Sequence, residues 1–328
     1  MAEIDCEDIE AAGRRISGHV RETPLLSLVG SDVRSLGLAQ SPSAVEFKLE
    51  LLQRAGSFKA RGAFNSVLGG DLTDAGVVAA SGGNHGVAVA LAARDAGVRA
   101  TIFVPEISSK AKVDAIRACG ADVRVGGARY NDALEASERF RAETGAFAVH
   151  AYDAPATVSG QGTLALEWAR QSSGLDTVLV AVGGGGLVAG MAAWYAGAQR
   201  RGHAVPKVIG VEPRGSRALH AAFEAGQPVD VDVNSVAADS LGARRIGDLP
   251  WRIARTAVAG VVLVDDDAIV AAQRALWRHF RLATEPGGAA AFAALASGAY
   301  RAAATERVGI LVCGGNVDLD RLGKSVNG

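Results

Sequence analysis

The chain has 328 residues, with 34 lysines and arginines against 35 acids and a formal net charge of −1. That balance argues against a nucleic-acid partner, which calls for a basic surplus. A hydrophobic share of 49% with 41 glycines excludes a disordered chain and a fibre.

The N-terminus opens Met1-Ala-Glu-Ile-Asp-Cys-Glu-Asp8, acidic where a secretory signal is basic and then apolar. The three cysteines, Cys6, Cys119 and Cys313, follow neither a disulfide framework nor a zinc spacing. Both features lead us to expect a cytoplasmic protein. In chain order the patterning predicts a helix over 4–18, a strand over 45–50, a helix over 58–68, a strand over 77–81 and a helix over 85–96. A strand over 100–105, a helix over 109–118, a strand over 122–125, a helix over 132–144 and a strand over 146–150 follow. Next come a helix over 162–171, a strand over 178–182, a helix over 187–199, a strand over 207–212 and a helix over 216–225. The series ends with a strand over 261–264, helices over 266–280 and 288–297, and a strand over 307–313.

Several strands are continuous apolar runs, as expected when helices cover both faces of a sheet. The alternation predicts an α/β fold with mainly parallel sheets. So many strands call for two sheets, and no linker marks the boundary. Thr177 to Gln199 carries no charge and is long enough to span a bilayer, but four consecutive glycines interrupt it. A strand, a tight loop and a helix is the better reading, so no membrane role is expected.

Lysine is scarce, six against 28 arginines. Lys59 lies in Gly56-Ser-Phe-Lys-Ala-Arg-Gly62, where Ser57 as N-cap would put it in a first helical turn. The helix dipole disfavours a cation there. Lys59 is then either a surface lysine that tolerates the cost, or one whose amine is neutral or used in a Schiff base. Ser81-Gly-Gly-Asn-His-Gly86 follows a strand and precedes a helix. Gly82 and Gly83 let a ligand approach the backbone, and Asn84 could cap the helix. Amides behind it would suit a carboxylate or phosphate; the same residues also suit an ordinary turn.

Gly183-Gly-Gly-Gly-Leu-Val-Ala-Gly190 repeats the arrangement. It could seat a phosphate or, read from Gly184 with Glu212 as the ribose acid, a dinucleotide. Glu285-Pro-Gly-Gly-Ala289 and Val312-Cys-Gly-Gly-Asn316 are further glycine turns, and Cys313 is either a buried cysteine or a thiol offered to a ligand. His150 and Tyr152 read as packing or loop groups, and Asp265 to Asp267 as a helix start. The histidines show no ligand spacing, and no metal site is expected.

Taken in order, Ser57-Phe-Lys-Ala-Arg-Gly62, Ser81 to Gly86, Gly160-Gln-Gly-Thr-Leu-Ala-Leu-Glu167, Gly183 to Gly186, Glu285 to Ala289 and Cys313-Gly-Gly-Asn316 resemble one family. It is the fold-type II pyridoxal-phosphate enzymes (tryptophan synthase β-like), in the serine/threonine dehydratase and serine racemase branch. The resemblance runs from about Thr23 to Asp318. It implies a large domain, 1–75 and 151–328, with a small domain, 76–150, inserted and the cofactor between them.

It also implies that Lys59 carries pyridoxal 5'-phosphate, Phe58 packs on its ring, and Asn84 meets its phenolic oxygen. Gly183, Gly184, Gly185, Gly186 and Leu187 would cup the phosphate. Glu285 would lie at the cofactor and Cys313 would face its ring nitrogen. Ser81, Gly82, Asn84 and His85 would receive the substrate carboxylate. The implied activity is an ammonia-lyase converting L-threonine or L-serine to a 2-oxo acid. The alternatives are a dehydratase for 3-hydroxyaspartate or phenylserine, a racemase and, outside the family, a nicotinamide-dependent oxidoreductase. A dimer or tetramer of one chain is implied as well.

Four residues depart from the family pattern. Gly82 replaces a racemase serine, and Ala218 an aspartate beside a cation site at Glu212. Ser240 replaces a glycine near the cofactor and would touch substrate. Arg129 replaces an asparagine, as a partner for a second carboxylate or as a surface arginine. The chain stops shortly after Asn316, so a C-terminal regulatory domain and feedback control are not expected.

Overall fold

The structure, a computed structural model, describes residues 4–318 except 39, 109, 129 and 173, and omits the side chain of Tyr130. Ten strands among these residues form two sheets: β1 Leu25–Val29, β2 Ala44–Lys48, β3 Val77–Ala80, β4 Ala100–Val104, β5 Asp122–Val125, β6 Phe147–Ala148, β7 Thr177–Ala181, β8 Lys207–Pro213, β9 Gly260–Val264 and β10 Arg307–Leu311. The six-stranded sheet runs β1-β2-β10-β7-β8-β9, and the four-stranded sheet runs β5-β4-β3-β6. Every pairing is parallel except β1 with β2, which places Leu26 opposite Phe47. The chain is an α/β protein of the architecture the patterning and resemblance imply.

Each sheet has its own core. Phe47, Leu179, Trp168 and Phe292 pack around the larger one, and Phe64, Val77, Val89 and Ile102 around the smaller. Every residue of β7 and β4 is buried, which is why both read as continuous apolar runs. The strand β1 is a partly exposed antiparallel edge and gave no such run. The stretch 177–199 is β7 followed by the helix Gly186–Arg200. Among the described residues, no helix is long and apolar enough to cross a membrane.

The helix expected over 162–171 begins earlier, at Pro155. Its glycines mark close crossings rather than breaks. A Cβ on Gly160 would sit 2.7 Å from the Gly62 Cα, and one on Gly162 2.9 Å from the Gly190 carbonyl oxygen. Pro155–Gln171 thereby lies tightly between the helices Lys59–Leu68 and Gly186–Arg200, which follow the Lys59 motif and the glycine tetrad.

Beside this crossing lies a buried ionic network. Arg61 Nε and Nη2 donate to the two carboxylate oxygens of Glu50 at 2.6 and 3.0 Å, and Nη2 also donates to Glu167 at 2.8 Å. Lys48 Nζ donates to Glu167 at 2.5 Å and to the Thr23 carbonyl oxygen at 2.7 Å. Two of the motifs, at Arg61 and Glu167, therefore meet in an ion pair that anchors the helix carrying Lys59.

Candidate active site

Parallel strands deliver their C-terminal loops to one edge of a sheet, and ligands bind there. The loops after β3, β7 and β10 carry Ser81 to Gly83, Val182 to Gly185 and Val312 to Asn316. They converge on the first turn of Lys59–Leu68.

Lys59 is fixed through its neighbours. The Phe58 amide donates to the Cys313 carbonyl oxygen at 3.0 Å, and Ser57 bridges to Gly314. Ser57 is not the N-cap that its position predicts. Its backbone is extended, its hydroxyl is buried without a partner among the described residues, and Phe58 takes the cap position. Pairing with Gly314 holds Ser57 one residue outside the helix. Lys59 is still in the first turn, as expected. Its Nζ donates to the Ala151 carbonyl oxygen at 2.7 Å and lies 5.2 Å from the centre of the Phe58 ring. Burial pushes the amine down to about 8, while the acidic groups of Cys313 and Glu285 pull it back up.

Asn84 does not cap its helix either. It is the first residue of Asn84–Asp95, with Gly83 before it, and its side chain crosses to the larger sheet. Its Nδ2 donates to Glu285 Oε1 at 2.6 Å, and its Oδ1 accepts from Asn316 Nδ2 at 2.8 Å. Burial raises the Glu285 carboxyl to about 7, against the Asn84 bond and the charges of Lys112 and Lys59. Ser81 Oγ accepts from the Gly83 amide at 3.2 Å. A Cβ on Gly82 would lie 2.0 Å from Ser108 Oγ, so only glycine lets these two loops close together. His85 is buried, and burial with the nearby Lys59 charge holds its imidazole down to about 3. A neutral ring facing a carbonyl must donate, so Nε2–H points at the Val149 oxygen at 2.8 Å.

The glycine tetrad makes a cradle that side chains would fill. A Cβ on Gly184 would sit 2.3 Å from the Tyr152 ring, one on Gly186 2.8 Å from the Tyr152 carbonyl oxygen, and one on Gly183 3.1 Å from the Leu241 Cα. Gly185 has φ +90° and leads into Gly186–Arg200, whose N-terminus no side chain caps. An uncapped helix start behind a bare backbone fits a phosphate. Tyr152 also packs edge-on against His150, with ring centres 5.0 Å apart. Its role is packing, as expected, but on the glycine loop itself.

Cys313 is buried and its thiol donates to the Gly287 carbonyl oxygen at 3.5 Å. Burial pushes the thiol up, so it stays protonated. Ser240, in the short helix Ala238–Leu241, brings its Oγ within 2.2 Å of where a Cβ on Gly287 would be. The structure thus draws together Phe58, Lys59, Asn84, Glu285 and Cys313. Ser81, Gly82 and His85 flank Asn84, and Tyr152 and Leu241 tie in the tetrad, Leu187 at its helix start and Ser240. Arg129 lies outside the described residues. Asn316, the last residue of the Cys313 motif, joins the site through its bond to Asn84, which no local pattern in the sequence signals.

Glu212, the acid of the dinucleotide reading, is buried at the end of β8. Its two oxygens accept from the Leu219 and His220 amides, both at 2.8 Å, at the start of Ala218–Ala225. The carboxylate serves that helix rather than the glycine loop.

A family model described as "Pyridoxal-phosphate dependent enzyme" matches residues 16–314. The chain is 42% identical over 278 residues to the phenylserine dehydratase of Ralstonia pickettii, covering 84% of each protein. It is 39% identical to a putative threonine dehydratase of Sinorhizobium fredii, across 100% of this chain and 97% of that one. Maize serine racemase superposes with a TM-score of 0.89 at 34% identity, covering 99% of this chain and 98% of that one.

Proposed function

The chain belongs to the pyridoxal-phosphate-dependent enzymes, and from that premise we propose that it is a dehydratase of β-hydroxy amino acids, acting on L-threonine and L-serine. The observation that carries this reading is the buried Lys59 amine, on a helix start tied to the Cys313 strand end, set in one site with Asn84 and the bare glycine cradle. The cradle at Gly183 to Gly186, with the Leu187 amide, would hold the cofactor phosphate. Phe58 would pack on its ring, Asn84 beside Glu285 would meet its phenolic oxygen, and Cys313 would face its ring nitrogen. Ser81, Gly82, Asn84 and His85 would receive the substrate carboxylate, with Ser240 beside it. We further propose that 76–150 is a small domain inserted between 1–75 and 151–328, with the cofactor between the two.

Bound there, pyridoxal phosphate supplies the electron sink for chemistry at the α-carbon. Lys59 supplies the base. Freed when the substrate amine displaces it, the Lys59 amine would take the α-proton and, as an ammonium, return it to the β-hydroxyl, which would leave as water; the released enamine would hydrolyse to a 2-oxo acid and ammonia. A weakly acidic thiol at Cys313 would leave the ring nitrogen largely unprotonated, which would favour prompt loss of the hydroxyl over amino-group transfer. The Lys59 amine must be neutral to accept an aldehyde, so uptake of pyridoxal phosphate by the cofactor-free protein should rise with pH through a midpoint at about 8. A midpoint near the ordinary lysine value in stopped-flow absorbance would contradict this.

Phenylserine is a second reading, favoured by the 42% identical relative and by the Tyr152–His150 ring pair beside the tetrad. Gly82 carries no hydroxyl to protonate an opposite face, although Ser108 Oγ fills the space that a side chain there would take. The test is therefore one panel. Purified holoprotein is given L-threonine, L-serine, phenylserine and 3-hydroxyaspartate, with 2-oxo acid and D-serine both measured. We expect oxo acid from threonine and serine. D-serine without oxo acid, or no product from any of the four, overturns the proposal.

A further inference from the structure

We propose that Lys112 and Asp239 form a charge gate at the mouth of the cleft, which sets the protein against substrates with a second carboxylate. This rests on the dehydratase reading and sharpens it to uncharged β-substituents.

Lys112 is in the helix Lys110–Ala118 after β4, and Asp239 is in Ala238–Leu241 beside the glycine tetrad. Their side chains form a salt bridge from one sheet's loops to the other's, with Lys112 25% exposed and Asp239 61% exposed. The pair stands at the site. Ser240 follows Asp239 directly, and the Asp239 carbonyl oxygen lies 3.7 Å from where a Cβ on Gly83 would sit, in the loop that would take the substrate carboxylate. The Lys112 charge also reaches the buried Glu285 carboxyl, more strongly than that of Lys59. The neighbouring cations on this helix face elsewhere, since Lys110 and Arg117 both pair with Asp114.

A β-carboxylate entering this cleft meets a lysine already neutralised. To use Lys112 it must displace Asp239, which is tethered in place and competes at high effective concentration. A methyl, hydrogen or phenyl group has no such competition to overcome. Removing the Asp239 charge should turn the gate into a carboxylate site.

The test compares L-aspartate with L-asparagine, which match in shape and differ in charge. Their dissociation constants for the holoprotein are measured by calorimetry in wild type, Asp239→Asn and Asp239→Asn with Lys112→Gln. We expect the preference for aspartate over asparagine to rise about tenfold in Asp239→Asn, the scale of one partly screened charge contact. It should return to the wild-type ratio in the double variant. Relative kcat/KM on 3-hydroxyaspartate against threonine should move the same way. An unchanged ratio in Asp239→Asn, including equal weakening of both ligands, overturns the gate, as does a gain that survives loss of Lys112. Neither ligand has a β-hydroxyl to lose. The ratio therefore decides the gate even if no β-hydroxy amino acid is consumed, which would sink only the dehydratase reading.

Discussion

Replacing Lys59 with alanine should abolish covalent attachment of pyridoxal phosphate and lower kcat/KM at least about 10³-fold, within the range lost with a catalytic acid–base group. The variant should fold, because among the described residues the Lys59 amine makes one hydrogen bond, to the Ala151 carbonyl oxygen, and its helix is held by Arg61 instead. Borohydride reduction of the wild-type holoprotein should add the cofactor's mass to the peptide containing Lys59. In Lys59→Ala the adduct and the visible absorbance should both vanish. Lys110→Ala is the control, since that exposed lysine pairs with Asp114 four residues on. An adduct on another lysine, or an unchanged spectrum in Lys59→Ala, would overturn the assignment.

Lys59 was legible in the sequence because lysine is rare in this chain and a cation at a helix start is out of place. The strands buried on both faces were legible from their composition: every residue of Thr177–Ala181 is buried, and the four glycines after Val182 set its apolar run apart from a membrane span. Elements with weaker demands were not. Leu25–Val29, a partly exposed antiparallel edge strand, offers no apolar run buried on both faces. Nor could local patterns tell a cap from a long-range contact. Asn84 looks like a cap, but its bonds go to Glu285 and Asn316, 201 and 232 residues away. Ser57 looks like a cap and is held out of the helix by Gly314. In Pro155–Gln171 the glycines that weaken a helix in isolation are what allow two others to cross it, so packing overrides propensity.

The largest effect on stability should come from Arg61→Met. The arginine is 1% exposed and Glu50 is fully buried, while Glu167 is shared with Lys48. Methionine fills much of the volume but leaves two carboxylates facing one cation. Breaking a buried pair from one side costs about 3–5 kcal/mol, because the remaining charge stays desolvated. Unfolding of a cofactor-bound, two-sheet protein need not be two-state, so the thermal midpoint is the practical readout. For a chain of this size that cost corresponds to a fall of roughly 4–7 °C.

Arg61→Lys keeps the charge but loses the two-pronged contact with Glu50, and should fall between wild type and Arg61→Met. Adding Glu50→Gln to Arg61→Met should recover part of the loss, since it removes one stranded charge. A fall below about 2 °C in Arg61→Met would mean that the network is not under electrostatic load. The consequence reaches the chemistry, because Arg61 lies two residues after Lys59 on the same first turn. A helix freed from Glu50 and Glu167 no longer fixes the Lys59 amine against Ala151 or beside Cys313. Arg61→Met should therefore lose kcat even well below its own melting point, whereas a merely distant stabilising residue would leave the folded fraction fully active.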